Sequence, residues 1–271
     1  MTKPACNIEA PNGRKTLDGR KVIATGAATG IGRTTAERFL AAGDRVCICD
    51  VDPLALDAAR EALPELETEI CDVSEPKQVE RLFSDVAARL GGLDILINNA
   101  GIAGPTAPVE EIAPEEWART LAVDLTGQFL CAHHAVPLLK EAGAGSIVNV
   151  SSAGGLFGYP MRTPYAASKW GVIGLTKTLA MELGLFSINV NAICPGFVAG
   201  ERLDRVIATK AGIQGIPVDT LRETYLGLNS MHRFIAPTHI AETILFLCSP
   251  AGAAISGQVI GVDGDLQTLR V

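Results

Sequence analysis

Apolar and polar positions along the chain alternate between two rhythms. Short, nearly continuous apolar runs occur at 21–25 (KVIAT), 46–50 (VCICD), 68–73 (TEICDV), 93–101 (LDILINNAG), 146–150, 188–194 (INVNAIC) and near 258–262. Between them, apolar residues recur at helical spacing over 33–43 (RTTAERFLAAG) and about 53–63, 75–90, 114–142, 164–184 and 237–248. Continuous runs predict strands buried on both faces, and their alternation with helices predicts a doubly wound parallel α/β sheet in three layers. The order breaks after Pro195-Gly196: residues 197–236 show no strand and only two weak helical patches, near 203–211 and 217–228. No repeat, low-complexity tract or linker divides the chain, which predicts a single domain over 18–271. The irregular stretch then reads as a lid at the C-terminal edge of the sheet, where open α/β sheets bind ligands.

Composition narrows the picture. A hydrophobic content of 48% with 5% aromatics and 28 glycines suits closely packed helices on a sheet. A net charge of −7 argues against nucleic-acid binding. No apolar run has the length of a membrane span. Residues 1–17 lack the apolar core of a secretory signal and read as a poorly ordered tail. The seven cysteines show no paired ligand spacing, so buried thiols in a reducing cytoplasm are expected and no metal site is. His133 and His134 have no acidic or Cys companion at ligand spacing, and Trp117 and Trp170 read as packing residues.

Two places carry chemistry. Gly26, Thr29, Gly30, Ile31 and Gly32 (GAATGIG) join a strand to a helix, the turn that lets a pyrophosphate approach a helix N-terminus. Asp50 closes the next strand 18 residues after Gly32, where a carboxylate accepts from both ribose hydroxyls of a dinucleotide. It would repel a 2′-phosphate, and neither Thr29 nor Val51 supplies a cation, so the expected cofactor is NAD. The second place is the helix with Tyr165 and Lys169, four residues apart and hence on one face. An ammonium one turn away favours the phenolate, which makes Tyr165 a candidate proton shuttle, and the Ser152 hydroxyl, at a strand end, could share the substrate oxygen.

With TGAATGIG at 25–32, CDV at 71–73, NNAG at 98–101, Ser152, YAASK at 165–169 and PG at 195–196, the chain resembles the short-chain dehydrogenases/reductases over nearly all of residues 19–265. The resemblance implies a Rossmann-like fold and a catalytic set of Ser152, Tyr165 and Lys169, with Lys169 also on the nicotinamide ribose. It implies that Asp72 and Val73 hold the adenine, that Asn98 with Asn99, Ala100 and Gly101 steadies the central strand near the cofactor, and that Pro195, Gly196 and Val198 border it. The helices near 114–142 and 164–184 would be the faces of a homotetramer. Two positions depart from the family pattern: Asp124 stands where an Asn usually completes the proton relay, and Gly200 where a Thr usually meets the carboxamide.

The expected activity is reversible oxidation of a secondary alcohol to a ketone, with a small-molecule alcohol or ketone as partner. Carbonyl reduction, as in a 3-oxoacyl reductase, fits the same residues, and a dinucleotide-binding regulator without turnover is the alternative outside enzymes. Within 197–236, Arg202, Arg205, Lys210, Arg222, His232 and Arg233 outnumber Glu201, Asp204, Asp219 and Glu223, which suggests an anionic substrate, with Arg202 and Arg233 as candidate contacts.

Overall fold

The computed structural model describes residues 19–270; the tail assigned to 1–17, and Cys6 within it, lie outside them. In chain order the elements are β1 (Lys21–Thr25), α1 (Gly30–Ala41), β2 (Arg45–Asp50), α2 (Pro53–Ala62), β3 (Glu67–Ile70), α3 (Pro76–Leu90) and β4 (Ile95–Asn98). There follow α4 (Pro114–Leu121), a π turn (Ala122–Thr126), α5 (Gly127–Glu141), β5 (Gly145–Val150), α6 (Thr163–Leu183) and β6 (Ile188–Pro195). The chain ends with α7 (Glu201–Gln214), α8 (Val218–Gly227), α9 (Pro237–Leu247) and β7 (Val259–Val262).

The strands form one parallel sheet in the order β3-β2-β1-β4-β5-β6-β7. The order reverses between β1 and β4, so the C-terminal ends of these strands open a crevice there. Side chains alternate between two cores. Val22, Ala24, Val46, Ile48, Ile95 and Ile97 pack with Phe39 of α1 and Ile240 and Ile244 of α9. Ile23, Cys47, Cys49, Leu96, Ile147 and Val190 pack on the opposite face with Val79, Phe83 and Val86 of α3 and Ala135 and Leu139 of α5. Each fully buried side chain of this size contributes about 1.5–3 kcal/mol, which explains why the strands read as unbroken apolar runs.

Local signals set the helix ends. Asp52 accepts from the Leu54 and Ala55 amides at the start of α2, and Gly91, at φ +74°, stops α3. At the foot of the sheet Arg20 donates through Nε to Asp44 Oδ1 (2.9 Å) and through Nη1 to the Cys248 carbonyl (2.7 Å), tying β1 to the end of α9. Both charges are buried, and stranding either one would cost about 3–5 kcal/mol.

Two expectations change. The helical run at 114–142 is two α-helices separated by the π turn that carries Asp124; such turns widen a helix locally and concentrate at functional sites. Trp117 and Trp170 are 39% and 53% exposed rather than packed inside. Cys47, Cys49, Cys71, Cys131 and Cys194 are buried thiols, and burial pushes Cys194 up to about 11. No described helix is long and apolar enough to cross a membrane.

Candidate active site

The glycine turn and the NNAG turn are built against each other. Gly26 has φ +58°, and a Cβ there would stand 2.5 Å from Ala100 Cα; one on Gly32 would stand 2.6 Å from Asn99 Nδ2. Asn99 Nδ2 donates to the carbonyls of Thr25 (3.0 Å) and Gly26 (2.7 Å), while Thr25 Oγ1 accepts from the amides of Asn99 and Ala100. Two of the three glycines therefore serve the chain's own packing. Gly30 differs: its φ is +57° and a Cβ there would meet nothing within 4 Å, which leaves the start of α1 open to a ligand. Thr29 beside it is exposed and makes no side-chain cap bond, and Ile31 packs back on the core.

Asp50 stands at the end of β2 and faces this turn. Its Oδ2 accepts from the Ala28 amide (3.2 Å) and its Oδ1 from the amides of Val51 (2.8 Å) and Asp52 (3.3 Å). A carboxylate has about four acceptor positions, so Oδ2, which takes only the Ala28 amide, keeps capacity for a ribose hydroxyl. Val51 is exposed, and the nearest guanidinium along α1, Arg33, is paired with Glu37. An open glycine turn with an acid at the next strand end fits an adenine dinucleotide. Asp72 is more occupied than expected: it accepts from the Ser74 amide and hydroxyl and from Arg119 Nη2. Partial burial pushes its carboxyl up, but the bonds from Ser74 and Arg119 outweigh that and hold it below the usual carboxylate value. Val73 is buried against the first residue of α5.

Around the Tyr/Lys helix the pieces converge. Ser152 Oγ accepts from the Gly154 amide (3.0 Å), shaping a short turn just after β5. Gly154 lies against the Tyr165 ring, since a Cβ there would be 3.2 Å from Tyr165 Cε1. Ser151 Oγ donates to the Lys169 carbonyl (2.8 Å), which docks α6 onto the end of β5. Lys169 is 3% exposed; its Nζ lies 5.7 Å from the Tyr165 ring centroid and donates to the Val150 carbonyl (3.1 Å). Ser152, Tyr165 and Lys169 thus meet at the C-terminal edge of β5, beside the crevice. A family model described as enoyl-(acyl carrier protein) reductase matches residues 26–266.

The chain belongs to the short-chain dehydrogenase/reductase family.

Among its relatives, a 3-oxoacyl-(acyl-carrier-protein) reductase of Thermotoga maritima is 37% identical, covering 92% of this chain and 98% of that protein. A cis-4-hydroxycyclohexanecarboxylate dehydrogenase of Sinomonas cyclohexanicum is 38% identical, covering 90% and 95%. The crystal structure of an actinorhodin polyketide ketoreductase variant with NADPH superposes with a TM-score of 0.89 at 33% identity, covering 94% of this chain and 99% of that one. As a short-chain dehydrogenase/reductase the chain is an oxidoreductase that uses a nicotinamide dinucleotide.

Asp124 belongs to the same cluster. It is fully buried, its Oδ1 accepts from the Ile102 amide (2.7 Å), and its Oδ2 lies 3.9 Å from Lys169 Nζ without a hydrogen bond. Gly101 sits over both, since a Cβ there would be 3.3 Å from Asp124 Oδ1 and from Lys169 Nζ. A buried polar chain supports this end of the short-chain dehydrogenase/reductase site. Asn98 Nδ2 donates to Asn149 Oδ1 (2.9 Å) and the Gln128 carbonyl (3.1 Å), Asn149 Nδ2 to Thr176 Oγ1 (2.9 Å), and Gln128 Nε2 to the same Val150 carbonyl that Lys169 uses. Sequence spacing does not single out Asn149, Gln128 or Thr176; for Asn149 alone, on β5, a polar residue inside an apolar strand run is the available signal.

At the far side, β6 ends at Pro195, and the Gly196 amide just after it donates to the Val262 carbonyl (3.1 Å). Val198 pairs with Ile235 in a one-residue parallel bridge. Gly200, at φ +139°, precedes α7, and α7 and α8 occupy the stretch expected to be a lid. The two candidate lid contacts have neighbours within the chain. Arg202 donates to the Gly101 carbonyl (3.1 Å), and Arg233 lies against Met231 Sδ. Arg222 is paired with Asp204.

Proposed function

We propose that the chain catalyses NAD-dependent, reversible oxidation of a secondary alcohol to a ketone, with Tyr165 as the group that takes and returns the hydroxyl proton. The observation that carries this reading is the meeting of Ser152, Tyr165 and a buried, partly compensated Lys169 beside an open glycine turn. Bound NAD supplies a hydride acceptor. Gly30 and the start of α1 would receive its pyrophosphate, Asp50 its adenosine ribose, and Lys169 its nicotinamide ribose. The chain's own share is positional and electrostatic: Ser152 orients the substrate oxygen, and the Lys169 charge favours the phenolate that accepts the proton. Carbonyl reduction uses the same groups in reverse, and the reductase among the relatives keeps that direction as the second reading. The exposed Trp117, Phe129 and Trp170 on α4, α5 and α6 support assembly through these helices.

The test is incubation with NAD and a panel of secondary alcohols, following absorbance of the reduced cofactor. Tight NAD binding without turnover across the panel would favour a regulator. Cofactor choice has its own check. Asp50→Ala removes an acceptor for the 2′-hydroxyl and a repulsion against a 2′-phosphate, so the NAD over NADP preference is expected to fall by about 1–3 kcal/mol. Wild-type protein that already prefers NADP in steady-state kinetics would overturn the assignment.

Asp124→Asn tests the departure from the family pattern. An Asn oxygen still accepts from the Ile102 amide, so activity at about pH 8 is expected to stay within roughly tenfold of wild type. A loss larger than that would make the Asp124 carboxylate itself, and not only its bond to the Ile102 amide, a requirement of the site.

A further inference from the structure

A buried cation without a partner is costly, so such a group marks a place where a partner arrives. Among the described residues six buried side-chain atoms have no hydrogen-bond partner: Asn98 Oδ1, Asp124 Oδ2, Gln128 Oε1, Arg162 Nε, Lys210 Nζ and the Tyr225 hydroxyl. They separate by chemistry and by place. The three acceptors belong to the polar cluster around Lys169 and Val150. The three groups that can donate surround Tyr159, on the lid side of Tyr165.

The geometry of this second group is specific. Arg162 Cζ lies 5.4 Å from the Tyr159 ring centroid and 5.2 Å from that of Tyr165; Lys210 Nζ lies 5.9 Å from the Tyr159 ring. Arg162 is 4% exposed and Lys210 3%, yet neither takes part in an ion pair among the described residues. Arg162 Nη2 donates to the Ala103 carbonyl (2.6 Å) and Nη1 reaches Thr106 Oγ1 (3.5 Å), which fixes the guanidinium and leaves Nε unused. Met161 before it holds φ +62°, a conformation a bulky side chain adopts only where the surroundings enforce it. Apolar neighbours close the place: Phe157, Phe197, Leu203, Ile207 and Leu221 cluster with Tyr159 and Tyr225. Two buried cations with unused donors, in a chain of net charge −7, call for an anion.

We propose that Arg162 and Lys210 receive a carboxylate of the substrate, so that the alcohol oxidised at Tyr165 is a hydroxy acid and its product the keto acid. This rests on the dehydrogenase reading above and names the substrate class for that site. Lys210 projects from the lid and Arg162 from the cap of α6, so the carboxylate bridges the lid to the catalytic helix. Burial, and then the Arg162 charge, push the Lys210 ammonium below its usual range; an anion between them restores it. Arg202 and Arg233 play no part in this site.

The test has two arms. In the first, benzoate and benzamide are titrated calorimetrically into the full-length protein. Benzoate is expected to bind roughly 10- to 100-fold more tightly than benzamide, the range of a charge-assisted hydrogen bond. Lys210→Met should abolish that preference and Lys210→Arg retain much of it. In the second, secondary hydroxy acids and their primary amides are compared as substrates with NAD. The acids should show a KM lower by about tenfold or more at similar kcat, and Lys210→Met should raise their KM more than it lowers kcat. Equal binding of benzoate and benzamide by wild type would overturn the proposal and leave ordered water as the partner of Lys210, as would a preference that survives in Lys210→Met. Turnover of neutral alcohols without preference for acids would remove the carboxylate site and keep the dehydrogenase. Selective benzoate binding with no turnover of any alcohol would do the reverse.

Discussion

Tyr165→Phe is expected to lower turnover by about 10²–10⁴-fold, the range associated with losing a positioned proton-transfer group, with NAD affinity within about twofold of wild type. The reason is structural. The ring lies against Gly154 and within 5.2 Å of the Arg162 guanidinium and 5.7 Å of Lys169 Nζ, and Phe keeps that ring and those contacts. Only the hydroxyl is lost, so little binding surface changes. Steady-state rates with NAD, set beside a fluorescence titration of the cofactor, separate the two quantities. Activity close to wild type in the variant would remove Tyr165 from the proton path.

Lys169→Met should do more damage, because one side chain serves several partners. Its Nζ holds the Val150 carbonyl at the end of β5 and faces Asp124 Oδ2 at 3.9 Å, and it is the group proposed to hold the nicotinamide ribose. Turnover is expected to fall by about 10²–10⁴-fold and NAD affinity by about 10–100-fold, since a charge-assisted bond is lost along with the charge that favours the phenolate. An unchanged NAD affinity would rule out the ribose contact. Stability should fall as well, because Asp124 is left buried beside no cation, a loss of about 3–5 kcal/mol by the usual cost of breaking a buried pair. Adding Asp124→Asn should then recover part of that loss in thermal unfolding. A double variant no more stable than Lys169→Met alone would mean that the two charges are not coupled.

Sequence determined those features that depend on short spacing. Strand runs buried on both faces are apolar at most positions, so β1, β2, β4, β5 and β6 are visible as nearly continuous runs, and the helices between them as a change of period. Tyr165 and Lys169 lie one helical turn apart on any α-helix, and a Gly-rich turn followed by an acid at the next strand end is local to one βαβ unit. Those pairings needed no fold to be read.

Tertiary structure decided which polar groups have partners. Lys210 and Arg202 look alike in a list of lid cations, but Arg202 reaches a carbonyl 101 residues away while Lys210 faces Tyr159 with its ammonium unpaired. Nothing in the spacing around Arg162 sets it apart; packing brings its guanidinium to 5.4 Å from the Tyr159 ring and 5.2 Å from the Tyr165 ring. The two glycines of the dinucleotide turn that serve internal packing could not be told from Gly30, the one left open, because the contacts that distinguish them come from the NNAG turn some seventy residues later. Likewise the π turn at 122–126 has no periodic signature, yet it carries Asp124, the residue that stands beside Lys169. Burial and pairing are set by long-range packing, and sequence spacing carries no direct record of either.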